Sequence, residues 1–269
     1  FYKKKVFSTW SVNKFFQSVV SNKFVYFGEY WYDNGGLPSI LVNYLKTHEL
    51  NIFEYLDKDK FLKVSSDDFK NPTALTTINQ NVLMCQTGYL TLRSDLNKTS
   101  TVALGIPNGE IYKALNRLLA NNIFKGNTDI TDDYGRSLLE VGTVDDIINL
   151  FNSALNSVSY DNYPIVSESS VQNMLKLYLL GAHQKVLSEV HEAKGRADLV
   201  VNTDNRRIVF EFKYAKNETE AKSKLLDAVE QIKTRDYGNI VPKKTELLRI
   251  AAVFNADPKV RAFTEYQEV

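Results

Sequence analysis

The sequence predicts an α/β fold for the C-terminal part of the chain, behind a mostly α-helical N-terminal part. Three observations predict it. "RIVFEFKY" (207–214) alternates, with Ile208, Phe210, Phe212 and Tyr214 on one side and Val209, Glu211 and Lys213 on the other, as a half-buried strand does. "LLRIAAVFN" (247–255) is apolar almost throughout, which suits a strand covered on both faces. Helical patterns stand on either side of the alternating strand. The resulting order, helix–strand–strand–strand–helix–strand, is that of a compact α/β unit.

The elements follow in order. "SVNKFFQSVV" has a helical apolar stripe with Ser11 as a candidate N-cap. "LPSILVNYLKTHEL" places Pro38 at a first helical turn. "NQNVLMCQTGYLTLR" runs from a helix into Gly88 and a short strand at 89–93. "IPNGEIYKALNRLLANNIF" is a turn and an amphipathic helix with Ile111, Leu115, Leu118 and Leu119 on one face. The polar "KGNTDITDDYGRS" reads as a linker or loop. "TVDDIINLFNSALNSV" is a helix with Thr143 as N-cap and acids in its first turn. This divides the chain into a helical region, 1–142, and an α/β domain, 143–269. In the second, "SESSVQNMLKLYLLGA" is a helix capped by Ser167 and stopped by Gly181. "QKVLSEV", "RADLVV" and "RIVFEFKY" are strands, the last two joined by "NTDNR". "ETEAKSKLLDAVEQIKTRDYG" is a long helix with Ala221, Leu225, Ala228 and Ile232 inward.

Composition excludes several classes. The 269 residues carry a net charge of +1, so the chain as a whole has no strong pull toward nucleic acid or membrane. A single cysteine, Cys85, excludes an internal disulfide framework and a cysteine zinc site, and fits a reducing, cytoplasmic compartment. The three histidines, His48, His183 and His191, have no helical zinc spacing. No apolar run is long enough to span a bilayer, so no membrane partner is expected. The chain begins at Phe1 rather than Met and reads as a piece of something longer. No G-x-x-x-x-G-K-[ST] occurs, which argues against nucleotide hydrolysis by these residues. "NGG" at 34–36 reads as a turn.

The chemistry lies around the alternating strand. Glu211 and Lys213 share one sheet face, and Asp198 joins them if "RADLVV" pairs alongside, giving D-x12-E-x-K. Two carboxylates this close repel unless a cation lies between them. Mg²⁺ or Mn²⁺ with oxygen ligands is the usual solution. A lysine two residues on can orient water or offset charge developing on a phosphoryl group. Glu168, in register with Val171, Leu175 and Leu179, faces inward and reaches the metal or only favours its helix dipole.

These residues, "SE…GRADLVV…FEFK…AVEQIKTRDY", resemble the PD-(D/E)XK nuclease superfamily. More narrowly, they are similar to the nuclease-like domain that follows AAA-ATPase-like domains in bacterial proteins. "YWYDNGGLPSILVNYL", "LMCQTGYLTL" and "IPNGEIYKAL" resemble the tail of such an ATPase-like region. The resemblance implies a restriction-endonuclease-like mixed sheet flanked by helices. It implies metal ligation by Asp198, Glu211 and the Phe212 carbonyl, with Glu168 as the helix acid and Lys213 as the catalytic lysine. Gln231 and Tyr237 match a downstream Gln…Tyr feature, and Gly195 and Arg196 match the turn before the aspartate. Where the family often has an aromatic–His pair after the helix acid, Val171 and Gln172 stand. The implied function is metal-dependent hydrolysis of nucleic acid, DNA before RNA, with a protein partner possible on the helical part. The alternative is a catalytically silent nuclease-like fold that binds protein or nucleic acid. Lys and Arg outnumber Asp and Glu over 181–245, which is compatible with a phosphate backbone.

Overall fold

The computed structural model describes residues 9–22, 30, 39–71, 74–93, 100–125, 134–182, 184–192, 195–237 and 245–269. Pro38, the 34–36 turn and the side chain of His191 lie outside the described set. The chain divides into two compact units, Phe1–Leu118 and Leu119–Val269.

The first unit contains helices α1 (Thr9–Asn22), α2 (Ser39–Leu45), α3 (Ser66–Lys70) and α4 (Gln80–Gln86), with a 3₁₀ turn at Ile52–Tyr55. It also contains a three-stranded antiparallel sheet, in which β3 (Thr101–Gly105) lies between β1 (Leu62–Ser65) and β2 (Thr91–Leu92). Only the β2 region reads as a strand in the sequence. Ser11 does not cap its helix: α1 begins two residues earlier, and the Ser11 hydroxyl donates to Glu110 at 3.1 Å. Gly88 turns the chain out of α4 with φ of 87°, a conformation glycine adopts without strain. Helix α5 (Gly109–Ile123) crosses the division and buries Ile111, Leu115, Leu118 and Leu119 as expected.

The second unit runs α6 (Tyr134–Val141), α7 (Val144–Asn156), α8 (Glu168–Gly181), β4 (Lys185–Glu192), β5 (Gly195–Asn202), β6 (Arg206–Ala215), α9 (Glu218–Arg235), β7 (Glu246–Asn255) and β8 (Ala262–Glu268). The five strands lie in sequence order. β6 and β7 are parallel and the other pairs antiparallel, so the sheet is mixed. Thr143 caps α7 through a reciprocal capping box with Asp146, and Ser167 caps α8. One departure is α6, which takes the end of the segment read as a linker. Another is β8, whose polar sequence gives little strand signal because most of it is not buried.

The alternation in β6 sorts two cores. Phe210 and Phe212 stack on each other at 5.5 Å; Phe151 from α7 packs on the first and Phe263 from β8 on the second. On the opposite face, Val209 and Ala251 meet Ala228, Val229 and Ile232 of α9, and Ala215 and Val253 meet Ala221. Arg206 ties down the start of β6. It pairs with both oxygens of Glu246 at 2.9 and 3.0 Å and donates to the Gly142 carbonyl at 2.7 Å.

Candidate active site

Glu211 and Lys213 sit between Val209 and Ala215 on the face that α9 covers, in the central strand of the sheet. Glu211 is completely buried, with Oε1 accepting from Lys213 Nζ at 2.7 Å. Lys213 Nζ also lies 3.6 Å from Glu168 Oε1. The lysine thus joins the strand acid to the acid that opens α8. Glu168 is 43% exposed, so it stands at the rim of the site rather than facing inward.

Asp198 enters from β5 by interrupting the sheet. The β5–β6 ladder runs from Asn202 opposite Arg207 to Leu199 opposite Phe210 and ends there. The next position would set Asp198 opposite Glu211. Instead, the Phe212 N–H donates to Asp198 Oδ2 at 2.8 Å, and the Asp198 carbonyl accepts from Gln172 Nε2. A carboxylate has taken the place of a backbone partner, and buried backbone groups remain satisfied although the strands part. Gln172 was not among the sequence-derived site residues. It is buried, and an amide on the inward side of α8, in register with Leu175 and Leu179, is the signal that marks it.

Burial dominates the electrostatics. It pushes the Glu211 pKa up to about 7, helped by the negative charge of Asp198 and opposed by the Lys213 ammonium. For Lys213, burial pulls the pKa down, but the hydrogen bond and charge of Glu211, with Glu168 and Asp198, outweigh it. The net shift is upward and the lysine stays protonated.

The far side of the site is built by the end of α9. Gln231 Nε2 donates to the Tyr237 hydroxyl at 3.3 Å, and Arg235 Nη1 donates to the same oxygen at 2.9 Å. Tyr237 is fully buried. Gly195, at the start of β5, lies under this pair: a Cβ there would stand 2.6 Å from Arg235 Cδ and 3.2 Å from Tyr237 Cε1. The hydrogen bond to Tyr237 raises the Arg235 pKa, and the charges of Glu211 and Asp198 add to that rise. Sequence reasoning passed over this arginine as an ordinary base in a last helical turn. Gln231 thus meets Tyr237 and, among the described residues, makes no hydrogen bond to Asp198, Glu211 or Lys213, while Arg196 is exposed beside Gly195.

The donor set fits a hard divalent cation. Glu211 Oε2 is buried and has no hydrogen-bond partner, and its carboxylate is destabilised by Asp198. An oxygen-seeking cation relieves both conditions. Among the described residues no group of three His, Cys, Asp or Glu side chains gathers to hold a metal; the acidic part of the site is the pair Asp198 and Glu211.

Residues 166–264 match the model of the PD-(D/E)XK nuclease superfamily. The match begins just before the cap of α8 and ends within β8, so it spans every residue of the site. The five-stranded mixed sheet between helices is the fold that superfamily implies. Divalent-ion chemistry on nucleic acid is what nucleases of this superfamily generally perform. No curated protein matches the chain.

Proposed function

We propose that this protein hydrolyses phosphodiester bonds of nucleic acid, DNA in preference to RNA, with Mg²⁺ or Mn²⁺. The observation that carries the reading is Glu211: fully buried, with one oxygen on Lys213 and the other unpartnered, beside Asp198. Asp198, Glu211 and the Phe212 carbonyl would hold the ion. Within a strand a residue's N–H and C=O point the same way, and the Phe212 N–H points at Asp198. Bound there, the ion would polarise a phosphoryl oxygen and lower the pKa of water.

The chain's own residues do the rest. Lys213, kept protonated, holds a water or offsets charge on the phosphate. Glu168 and Glu211 fix its direction from two sides. Gln172 keeps Asp198 in place through its carbonyl. Arg235, anchored on Tyr237, adds positive charge where phosphate would lie. The helical part ahead of this domain is read as an ATPase-like tail and as the place for a protein partner. No helix among the described residues is long and apolar enough to cross a membrane, and the lone cysteine supports a cytoplasmic setting.

Cleavage of plasmid and single-stranded DNA across a Mg²⁺ and Mn²⁺ titration, with a chelator control, tests the proposal. Metal-dependent cleavage is expected. Absence of cleavage with every divalent ion would leave the silent binding module as the better reading.

A further inference from the structure

Arg261 stands in the turn between β7 and β8 with φ of 45°. That is the left-handed region, where glycine and asparagine are ordinarily found. The turn is tightly built: Val260 and Arg261 N–H groups both donate to the Asp257 carbonyl, at 2.8 and 3.1 Å. The Asn255 and Asp257 side chains accept from the backbone N–H groups two residues on, those of Asp257 and Lys259, at 3.0 and 2.9 Å. At this demanding position the sequence places the residue with the largest cationic head.

The guanidinium carbon of Arg261 lies 3.4 Å from the centre of the Tyr160 ring. Its Nε is buried and has no hydrogen-bond partner. Among the described residues the guanidinium meets no carboxylate, so its charge is not spent on an ion pair. The helix that precedes Tyr160 is tied to β8 just after Arg261: the Asn152 side chain both donates to the Phe263 carbonyl and accepts from its N–H, at 3.1 and 2.8 Å. An arginine laid flat on an aromatic ring keeps its edge donors in a fixed plane, the arrangement that suits a phosphate.

The pair lies at the same end of the sheet as the candidate active site. Arg261 precedes Ala262, which pairs with Asn255, which pairs with Ala215. Strand spacing and rise put its Cα roughly 14 Å from that of Lys213. The stack lies on the Phe212 and Tyr214 face of the sheet, opposite Lys213: Tyr214 feels the Tyr160 phenol, so a bound strand would pass around the end of β6 and β7 to reach both. Lys216 and Lys259 are exposed at this end as well.

We propose that the Arg261–Tyr160 stack is a phosphate clamp for a nucleic-acid strand, engaging it a few nucleotides from the bond to be cut. This rests on the nuclease reading for its purpose, but not for its test. A fluorescent single-stranded 20-nucleotide DNA is titrated with the full chain in chelator, where no cleavage competes, over a range of salt. Arg261→Gly and Arg261→Asn suit the left-handed backbone and should melt no lower than the parent. Both are expected to weaken binding about 5- to 10-fold and to reduce the salt slope by about one. Arg261→Lys should keep the salt slope but not the full affinity, and Tyr160→Ala should weaken binding with Arg261 still present. Unchanged affinity and salt slope in folded Arg261→Gly would overturn the clamp, as would a parent that does not bind the oligonucleotide. If the parent binds and the variants lose affinity while no metal supports cleavage, the clamp stands and the nuclease reading falls. If the parent cleaves and Arg261→Gly cleaves with the same KM, the reverse holds.

Discussion

At the scale of single residues, Glu211 makes the protein sensitive to pH. Its carboxyl titrates near 7 in the folded chain and near 4.3 when unfolded. A folded pKa above the unfolded one means that the contribution of this group is complete below about pH 4.3. It is lost as pH rises through about 7, and the full loss is on the order of 4 kcal/mol. The metal-free protein should therefore lose Tm between about pH 5 and 8. Glu211→Gln should flatten that fall, and an equally steep fall in the variant would show that another group titrates. Asp198→Asn makes a separate prediction. The amide oxygen can still accept from the Phe212 N–H, so folding should survive, while Mg²⁺ affinity and cleavage drop. Because Asp198 raises the Glu211 pKa, the same variant should also soften the pH dependence. Lys213→Ala should keep Mg²⁺ binding by calorimetry and lose about 10²–10³-fold in kcat. The identities of these three residues were legible because charge inside an apolar run is conspicuous. Gln172 and Arg235 were not, since an amide or a terminal arginine on a helix is common and acquires meaning only from what it touches.

At the scale of elements, the site depends on where strands separate and what fills the gap. The β5–β6 ladder stops at Leu199 and Phe210, and the space beyond it receives Asp198 from one side and the end of α9 from the other. Alternation in β6, the cap at Ser167 and the inward stripe of α9 were readable, because burial on one face imposes a period. The parting of the strands was not, because it arises from a side chain replacing a backbone acceptor, and no periodicity records that. β1, β3 and β8 were missed for a different reason: short, half-exposed strands such as "LKVS" carry too few apolar residues to show a period. Gly195 tests the packing at the gap. Ala at this position would push its Cβ into Arg235 and Tyr237. A cost of about 1–3 kcal/mol is expected for such overpacking, seen as a lower Tm. Because Arg235 and Tyr237 move with it, cleavage should fall further than the stability loss alone predicts. A variant with normal Tm and normal rate would mean that the α9 end yields freely and does not shape the site.

At the scale of the whole molecule, chemistry and chain division can be separated. Every residue of the site, from Glu168 to Tyr237, belongs to the unit Leu119–Val269, as does the superfamily match. The division at 118/119 cuts α5, whose start is held by the Asn108 side chain accepting from the Ile111 N–H at 2.9 Å. A fragment from Ile106 to Val269 keeps that helix and its cap together with the whole sheet. It should fold cooperatively and cleave DNA with the same metal requirement as the full chain. Residues 1–105 should not cleave at all, since they contribute none of the acids or the lysine. The comparison that decides is kcat measured on a short oligonucleotide, with KM measured separately. If the helical region serves a partner, its removal leaves both constants within about twofold. If kcat of the folded fragment collapses instead, the first unit supplies something the chemistry needs, and the separation of roles argued from the position of the site is wrong.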